Sequence, residues 1–166
     1  MKKIILYIAI AIFSAASVCA QNVKFGHLAP EAIMEKMVGF DTAQALMISY
    51  QEELQSEGQM MVKEFQAKQK EYQDKLPTYS EAVRKLKETE LTTMSEKIQN
   101  FSSTIDGLLE QKKYELLLPF QEKILAAIKE IGKDENYTYI FYKSVLSYSA
   151  HGDDISEKVK QKLGIQ

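Results

Sequence analysis

Cysteine occurs once in the 166 residues, at Cys19; tryptophan is absent, histidine occurs twice and proline three times. One cysteine forms no intrachain disulfide and no cysteine-based metal centre. His27 and His151 lie far apart in the chain, and no HxxH or HExxH spacing is present, so no metal-ligand pattern is written in the sequence. A glycine-rich phosphate loop and a nucleophile elbow are missing too. His151-Gly152-Asp153-Asp154 invites a metal or acid–base reading, but a turn leading into a capped helix explains that run better. Excess positive charge is also lacking. With 21 basic and 23 acidic residues, the chain is not a nucleic-acid binder by charge.

Only one long apolar run exists, and it is at the start. Met1-Lys2-Lys3, an apolar stretch from Ile4 to Phe13 and small residues up to Ala20 read as a secretory signal peptide. Val18-Cys19-Ala20 is the cleavage site before Gln21, and the apolar stretch is too short for an ordinary transmembrane helix. Lipidation of Cys19 is the alternative, and bulky Val18 fits that signal poorly. Removing Lys2 and Lys3 leaves 19 basic against 23 acidic residues, a formal charge of −4. A cysteine-free mature chain with such a signal points to a soluble protein of the bacterial periplasm, with secretion as the alternative.

What is abundant is helical periodicity. Met47, Tyr50, Leu54 and Met61 repeat like a heptad, and Met61, Phe65, Tyr72 and Leu76 continue it with a shifted phase. Leu91, Met94, Ile98, Phe101, Ile105 and Leu108 alternate by three and four residues. Pro77 separates the two patterns, and Pro119 is expected to end the second. Asp41 with Gln44, and Thr78 with Glu81, resemble capping boxes opening the two helices. The equal lengths predict a long antiparallel helical hairpin over 41–118 with its tip near 77–78, rather than two separate helices of a bundle. At about 1.5 Å per residue each arm projects roughly 54 Å. Folding the chain back about residue 78 sets Met47 against Leu109, Leu54 against Phe101 or Ile105, Met61 against Met94 or Ile98, and Phe65 against Leu91. Gly58 and Gly107 inside the arms are read as tolerated surface glycines.

The flanks are mixed. Val23 to Leu28 alternates like a strand, and Pro30 starts a short helix reaching Met37. After Pro119, residues Phe120, Ile124, Ala127, Ile128 and Ile131 form a third helical pattern stopping at Gly132. Tyr137 to Tyr142 is a strand apolar on both faces, and Ser144 to Ser149 is expected to be another, joined to it by a tight turn. Asp154 with Glu157 opens a last helix carrying Ile155, Val159 and Leu163. Asn136-Tyr137-Thr138 matches a glycosylation sequon by chance. Three short strands neither stand alone nor close a barrel. The expectation is an oligomer with a shared body and projecting arms: signal peptide 1–20, body part 21–40, arm 41–118 and second body part 119–166.

The run Tyr114-Glu115-Leu116-Leu117-Leu118-Pro119-Phe120-Gln121-Glu122-Lys123-Ile124, then Ala127-Ile128-Lys129-Glu130-Ile131 and Asn136-Tyr137-Thr138-Tyr139-Ile140-Phe141, resembles the Skp/OmpH family of periplasmic chaperones. Asp154-Ile155-Ser156-Glu157-Lys158-Val159 with Leu163-Gly164 resembles that family's last helix. The resemblance covers essentially the whole mature chain. It implies a mainly α fold with a small β-barrel-like body shared between three protomers, from which three coiled-coil tentacles enclose a cavity. It also implies an ATP-independent holdase that keeps unfolded outer-membrane β-barrel proteins from aggregating, with no catalysis and no cofactor. A structural or adaptor protein docking one specific partner through its hairpin is the alternative. The best-known members are strongly basic and this chain is net negative, and no lipopolysaccharide site carries over because no matching cluster is present in the sequence.

On that reading Met60, Val62 and Tyr79 are the candidate client-binding residues, since flexible Met side chains suit promiscuous apolar contacts. Partial burial at the coil edge is the alternative for the arm residues. Phe25, Tyr137, Tyr139, Phe141 and Val145 are the candidate trimer-interface residues. From Lys68 to Lys87, Lys68, Lys70, Lys75, Arg84, Lys85 and Lys87 outweigh Glu71, Asp74 and Glu81 by +3. That surplus is either a weak membrane-surface contact at the arm tip or a solvated helix face.

Overall fold

The computed structural model describes residues 23–165; the expected signal peptide, with Cys19, lies outside the described residues. Strand β1 (Phe25–Leu28) is followed by helix α1 (Pro30–Met34), where Pro30 occupies a first-turn position whose N–H has no helical partner to lose. Helix α2 (Phe40–Lys75) and helix α3 (Glu81–Asp134) form the hairpin, joined by a 3-10 turn at Leu76–Thr78. Strands β2 (Tyr139–Tyr142) and β3 (Asp153–Asp154) and helix α4 (Ser156–Lys162) close the chain.

The sheet is small and entirely parallel, in the order β2-β1-β3. Phe25 stands opposite Tyr139 and Leu28 opposite Tyr142, while Gly26 and His27 face Asp153 and Asp154 on the other side. A Cβ at Gly26 would lie 3.2 Å from the Tyr137 ring, so the central strand needs glycine for its neighbours to close in. The sheet packs against a core of Leu28, Ile33, Ile124, Ile155 and Val159, all fully buried. Met34, Met37, Ala43, Phe120, Ala127, Ile128 and Ile131 complete it.

Several local expectations are corrected. Helix α2 begins at Phe40, capped by Gly39 at φ 91°, and Asp41 sits inside its first turn with no side-chain cap bond. Glycine adopts that left-handed conformation without penalty and lets the chain turn sharply out of α1. Thr78 stays in the 3-10 turn, where its hydroxyl donates to the Lys75 carbonyl at 2.7 Å, and Ser80 caps α3 by accepting the Val83 N–H. Pro119 does not end the second helix. Helix α3 runs through it for 54 residues, because Leu116 and Leu117 before it and Phe120 after it pack against the core. Phe120 stacks edge-on against Phe40 at 5.9 Å, and Ile124 is buried one turn later. That packing outweighs the roughly 3 kcal/mol that an interior proline costs a helix.

Gly132 is likewise interior. Helix α3 ends in a Schellman arrangement: Asn136 takes φ 55° and the Tyr137 N–H donates to the Gly132 carbonyl at 2.9 Å. No strand forms at Ser144–Ser149. Lys143–Val145 is a 3-10 turn, and the third strand is Asp153–Asp154. A parallel partner for β1 cannot follow β2 by a tight turn; the chain must first travel back along the sheet. Asp154 does hold the start of α4, its carboxylate accepting the Ser156 N–H at 3.0 Å, but Glu157 pairs with Lys160 instead of closing a box.

In the hairpin, the less exposed positions of α2 include 43, 47, 50, 54, 58, 61, 65, 68 and 72, and those of α3 include 87, 91, 94, 98, 101, 105, 108 and 112. On α3 the steps alternate four and three throughout, whereas α2 takes two steps of four in a row, from 50 to 54 to 58, so its seam shifts phase there as the sequence pattern indicates. Gly58 and Lys68 fill the seam positions that lack an apolar residue, Gly58 at the phase shift itself. A Cβ at Gly58 would meet the Phe101 ring at 3.3 Å, so this glycine receives Phe101 and is no surface glycine; Gly107 is exposed, with open space around it.

A polar knot ties the ends of the chain together. Lys24 and Lys158 both donate to the Glu135 carboxylate, Lys24 lies 3.9 Å from the Tyr137 ring centre, and the Tyr137 hydroxyl donates to Asp153 at 2.6 Å. The bonds from Lys158 and then Lys24 hold the Glu135 carboxyl below its ordinary value, and the Tyr137 bond does the same for Asp153. At Asp154 partial burial opposes ionisation, yet the bonds from Lys143 and Ser156 keep its carboxyl far below the usual carboxylate range.

Depressed carboxylates contribute stability that is complete at neutral pH and is lost as pH falls below their ordinary values, about 4.5 for Glu135, through the lower folded ones. Thermal melts should therefore fall on acidification, and Glu135→Gln should lower the melting temperature at pH 7 while flattening that acid limb. Gly107→Ala should stabilise by roughly 0.5–1 kcal/mol through helix propensity, measured by urea unfolding. Gly58→Ala should gain less or lose, because Phe101 must move.

Candidate functional site

Two helices alone cover their common seam from two sides and leave the flanks open. Only Ala43 and Leu54 of α2 are buried, and the other seam residues are half exposed. Two shallow grooves result. One, of about 530 Å³, runs between Met61 on α2 and Leu86, Met94 and Ile98 on α3, with Glu64, Glu90 and Lys97 at its margin. The other, of about 630 Å³, lies between Leu54, Gly58 and Val62 on α2 and Ile98, Phe101 and Ile105 on α3. The grooves keep Met61 with Met94 and Ile98, and Leu54 with Phe101 and Ile105, as folding the chain about its tip predicts.

Towards the tip the seam turns polar. Lys68 reaches Glu90 at 3.4 Å and Lys87 reaches the same carboxylate at 2.8 Å. Lys75 pairs with Glu71, and the Tyr72 hydroxyl donates to Glu88 at 2.6 Å. These bonds hold the Glu71 and Glu90 carboxyls below, and the Lys75 and Lys87 ammonium groups above, their ordinary values. Three of the six basic residues near the tip are thus engaged by carboxylates. Lys70, Arg84 and Lys85 are exposed.

The candidate residues on the arm are placed differently from one another. Met60 is 60% exposed and lines neither groove, Val62 is 38% exposed on the groove edge, and Tyr79 is half-buried with its ring 6.3 Å from that of Tyr72. In the body, Phe25, Tyr139 and Phe141 stack on one sheet face, with ring centres 5.9 to 6.5 Å apart, and Tyr139 is 57% exposed. Alternation explains this row, since Phe25, Tyr139 and Phe141 share the sheet side opposite the one on which Leu28 enters the core. Tyr137 stands apart from it, flanked by Lys24 and Lys158. Val145 is 69% exposed on the 3-10 turn after β2.

Leu86, Tyr114 and Tyr148 are exposed apolar residues that periodicity did not single out. Leu86 precedes a seam position by one residue, which is the only sequence signal that marks it. Asp153 and Asp154 of the His151-Gly152-Asp153-Asp154 run are engaged by Tyr137 and by Lys143 with Ser156. Among the described residues there is no group of His, Cys, Asp and Glu that would hold a metal ion, and no helix long and apolar enough to cross a membrane.

Comparison with known proteins matches this geometry to one family. The family described as outer membrane protein (OmpH-like) matches residues 24–163. No curated protein matches the chain by sequence. A solved structure with the same fold is a Caulobacter crescentus protein described as an OmpH-like outer membrane chaperone. It is 10% identical, with a TM-score of 0.66 over 85% of this chain and 83% of that one. At that identity the likeness concerns the fold, and the family match carries the assignment: the chain belongs to the OmpH-like outer membrane protein family.

Proposed function

We propose that this protein is an ATP-independent periplasmic holdase that keeps unfolded outer-membrane β-barrel proteins from aggregating. The observation that carries the reading is the arm itself: a two-helix hairpin whose seam is half exposed along most of its length, rooted in a small core at one end. Such an arm offers many weak apolar contacts and no tight pocket, which suits reversible capture without a nucleotide supply. Family membership and the fold shared with an OmpH-like chaperone support it. Capture by several arms raises apparent affinity without any single strong site. Holding the unfolded chain lowers its free concentration and so slows aggregation.

The reading includes a homotrimer. The stacked row of Phe25, Tyr139 and Phe141 leaves an aromatic sheet face open on the single chain, and β2 is an edge strand. Three copies meeting there would cover the aromatics, gather the arms around a common space and leave Val145 at the margin. Lys70, Arg84 and Lys85 are the residues for a weak membrane-surface contact at the tip. Export through the N-terminal signal peptide belongs to the same proposal.

The mature protein should slow aggregation of a urea-unfolded outer-membrane β-barrel protein, followed by light scattering without nucleotide. No effect on such a client, with binding to one folded partner, would overturn the holdase reading in favour of an adaptor. Its mass in solution should be that of a trimer. Tyr139→Asp should dissociate it, because a charge buried without a partner costs several kcal/mol in each of the contacts it enters. An unchanged mass for that variant would place Tyr139 outside the interface.

A further inference from the structure

The groove between Leu54, Gly58 and Val62 on α2 and Phe101 and Ile105 on α3 differs from the rest of the arm in its rim. Gln55, Gln59, Gln66 and Ser102 border it, with Lys63 as the one charged residue. The groove on the other side is bordered by Glu64 and Glu90 against a single Lys97. An arm rich in carboxylates therefore presents one apolar trough whose edge is neutral amide plus one cation.

Its size excludes most occupants. From Leu54 to Gln66 the helix advances roughly 18 Å, and a trough about one helix diameter, ~10 Å, wide offers about a quarter of the ~800 Å² per partner that a stable protein interface buries. A second copy of this chain or a folded partner needs more. A helical occupant would satisfy its own N–H and C=O groups and leave the glutamine amides unused. An extended segment has the complementary chemistry. Its backbone groups point sideways to amides that both donate and accept, and its alternate side chains point down into the trough. At ~3.3 Å per residue, 18 Å accommodates about five residues, three of them facing the apolar floor. That period of two is the pattern of a membrane β-strand, whose lipid-facing residues are apolar.

We propose that this trough is a client subsite for one extended polypeptide segment, apolar at alternate positions and neutral or acidic between them. Gly58 shapes its floor: with no side chain there, the Phe101 ring settles against α2. The proposal rests on the holdase reading and names where on the arm that reading places one strand-length of client.

The test uses the full mature protein and a urea-unfolded outer-membrane β-barrel protein carrying a fluorescent label. Val62→Glu, on the groove edge, should raise the client Kd about tenfold, and Val62→Lys should raise it less, because a rim cation attracts the acidic positions of the segment that a carboxylate repels. Glu57→Gln, exposed on the same helix and lining neither groove, should leave it unchanged. A photoreactive side chain at Gln59 should crosslink to the client at segments of alternating pattern. That measurement also stands if Val62→Glu impairs folding. If the wild-type protein holds the client while Val62→Glu binds as well as wild type and Gln59 gives no crosslink, the subsite is overturned and the holdase reading stands. A wild-type protein that holds no client overturns both. Val62→Glu changing the mass in solution would make the trough a contact between copies and overturn the subsite.

Discussion

Ile124, Ile128 and Ile131 pack the body core from the same helix on which Ile98, Phe101 and Ile105 line the arm. That shared helix is the constraint on which the molecule depends. A small core of this size could not orient a separate arm through a flexible joint. Because α3 passes Pro119 without a break, the arm inherits the direction that the core imposes. Phe40 against Phe120 makes the second connection, fixing the base of α2 beside α3 just where the body begins.

The body is held by few apolar residues and by a polar knot on their edge. Lys24, Glu135, Tyr137, Asp153 and Lys158 come from the start of β1, the end of α3, the approach to β2, β3 and α4. Each pair is at least partly open to solvent and individually weak. Their value is geometric, since together they join the two ends of the chain at the edge of the sheet, beside the core in which Ile33 meets Ile155 and Val159. With Phe25, Tyr139 and Phe141 stacked on the outer face of that sheet, the body has an apolar surface that its own chain does not cover.

The arm obeys an opposite economy. Two helices cannot bury a seam fully, so residues that would be core in a bundle stay half exposed. Polar substitutions along the seam, Lys68 with Glu90 above all, keep register near the tip where apolar contact is thinnest. Gly58 belongs to the same logic: it stands in the seam where the repeat shifts phase, and Phe101 from the other helix fills the space a side chain would take.

Residue order by itself determined the helices, their hairpin reversal at Pro77, the pairing of Leu54 with Phe101 and Ile105, and the buried stripe from Phe120 to Ile131. Periodicity and a proline turn are local signals, and long helices obey them. Tertiary structure decided what local signals cannot weigh. Proline 119 reads as a stop, and the contacts of Phe120 and Ile124 carry the helix through. Gly58 reads as a surface glycine and Lys68 as part of a charged tip, and only the opposite helix shows that they lie in the seam. The third strand fell at Asp153–Asp154 because a parallel partner for β1 requires the chain to return first, a demand of topology that the apolar stretch at Ser144–Ser149 could not reveal. The neutral trough on the arm is likewise assembled from two helices, so no single stretch of sequence contains it.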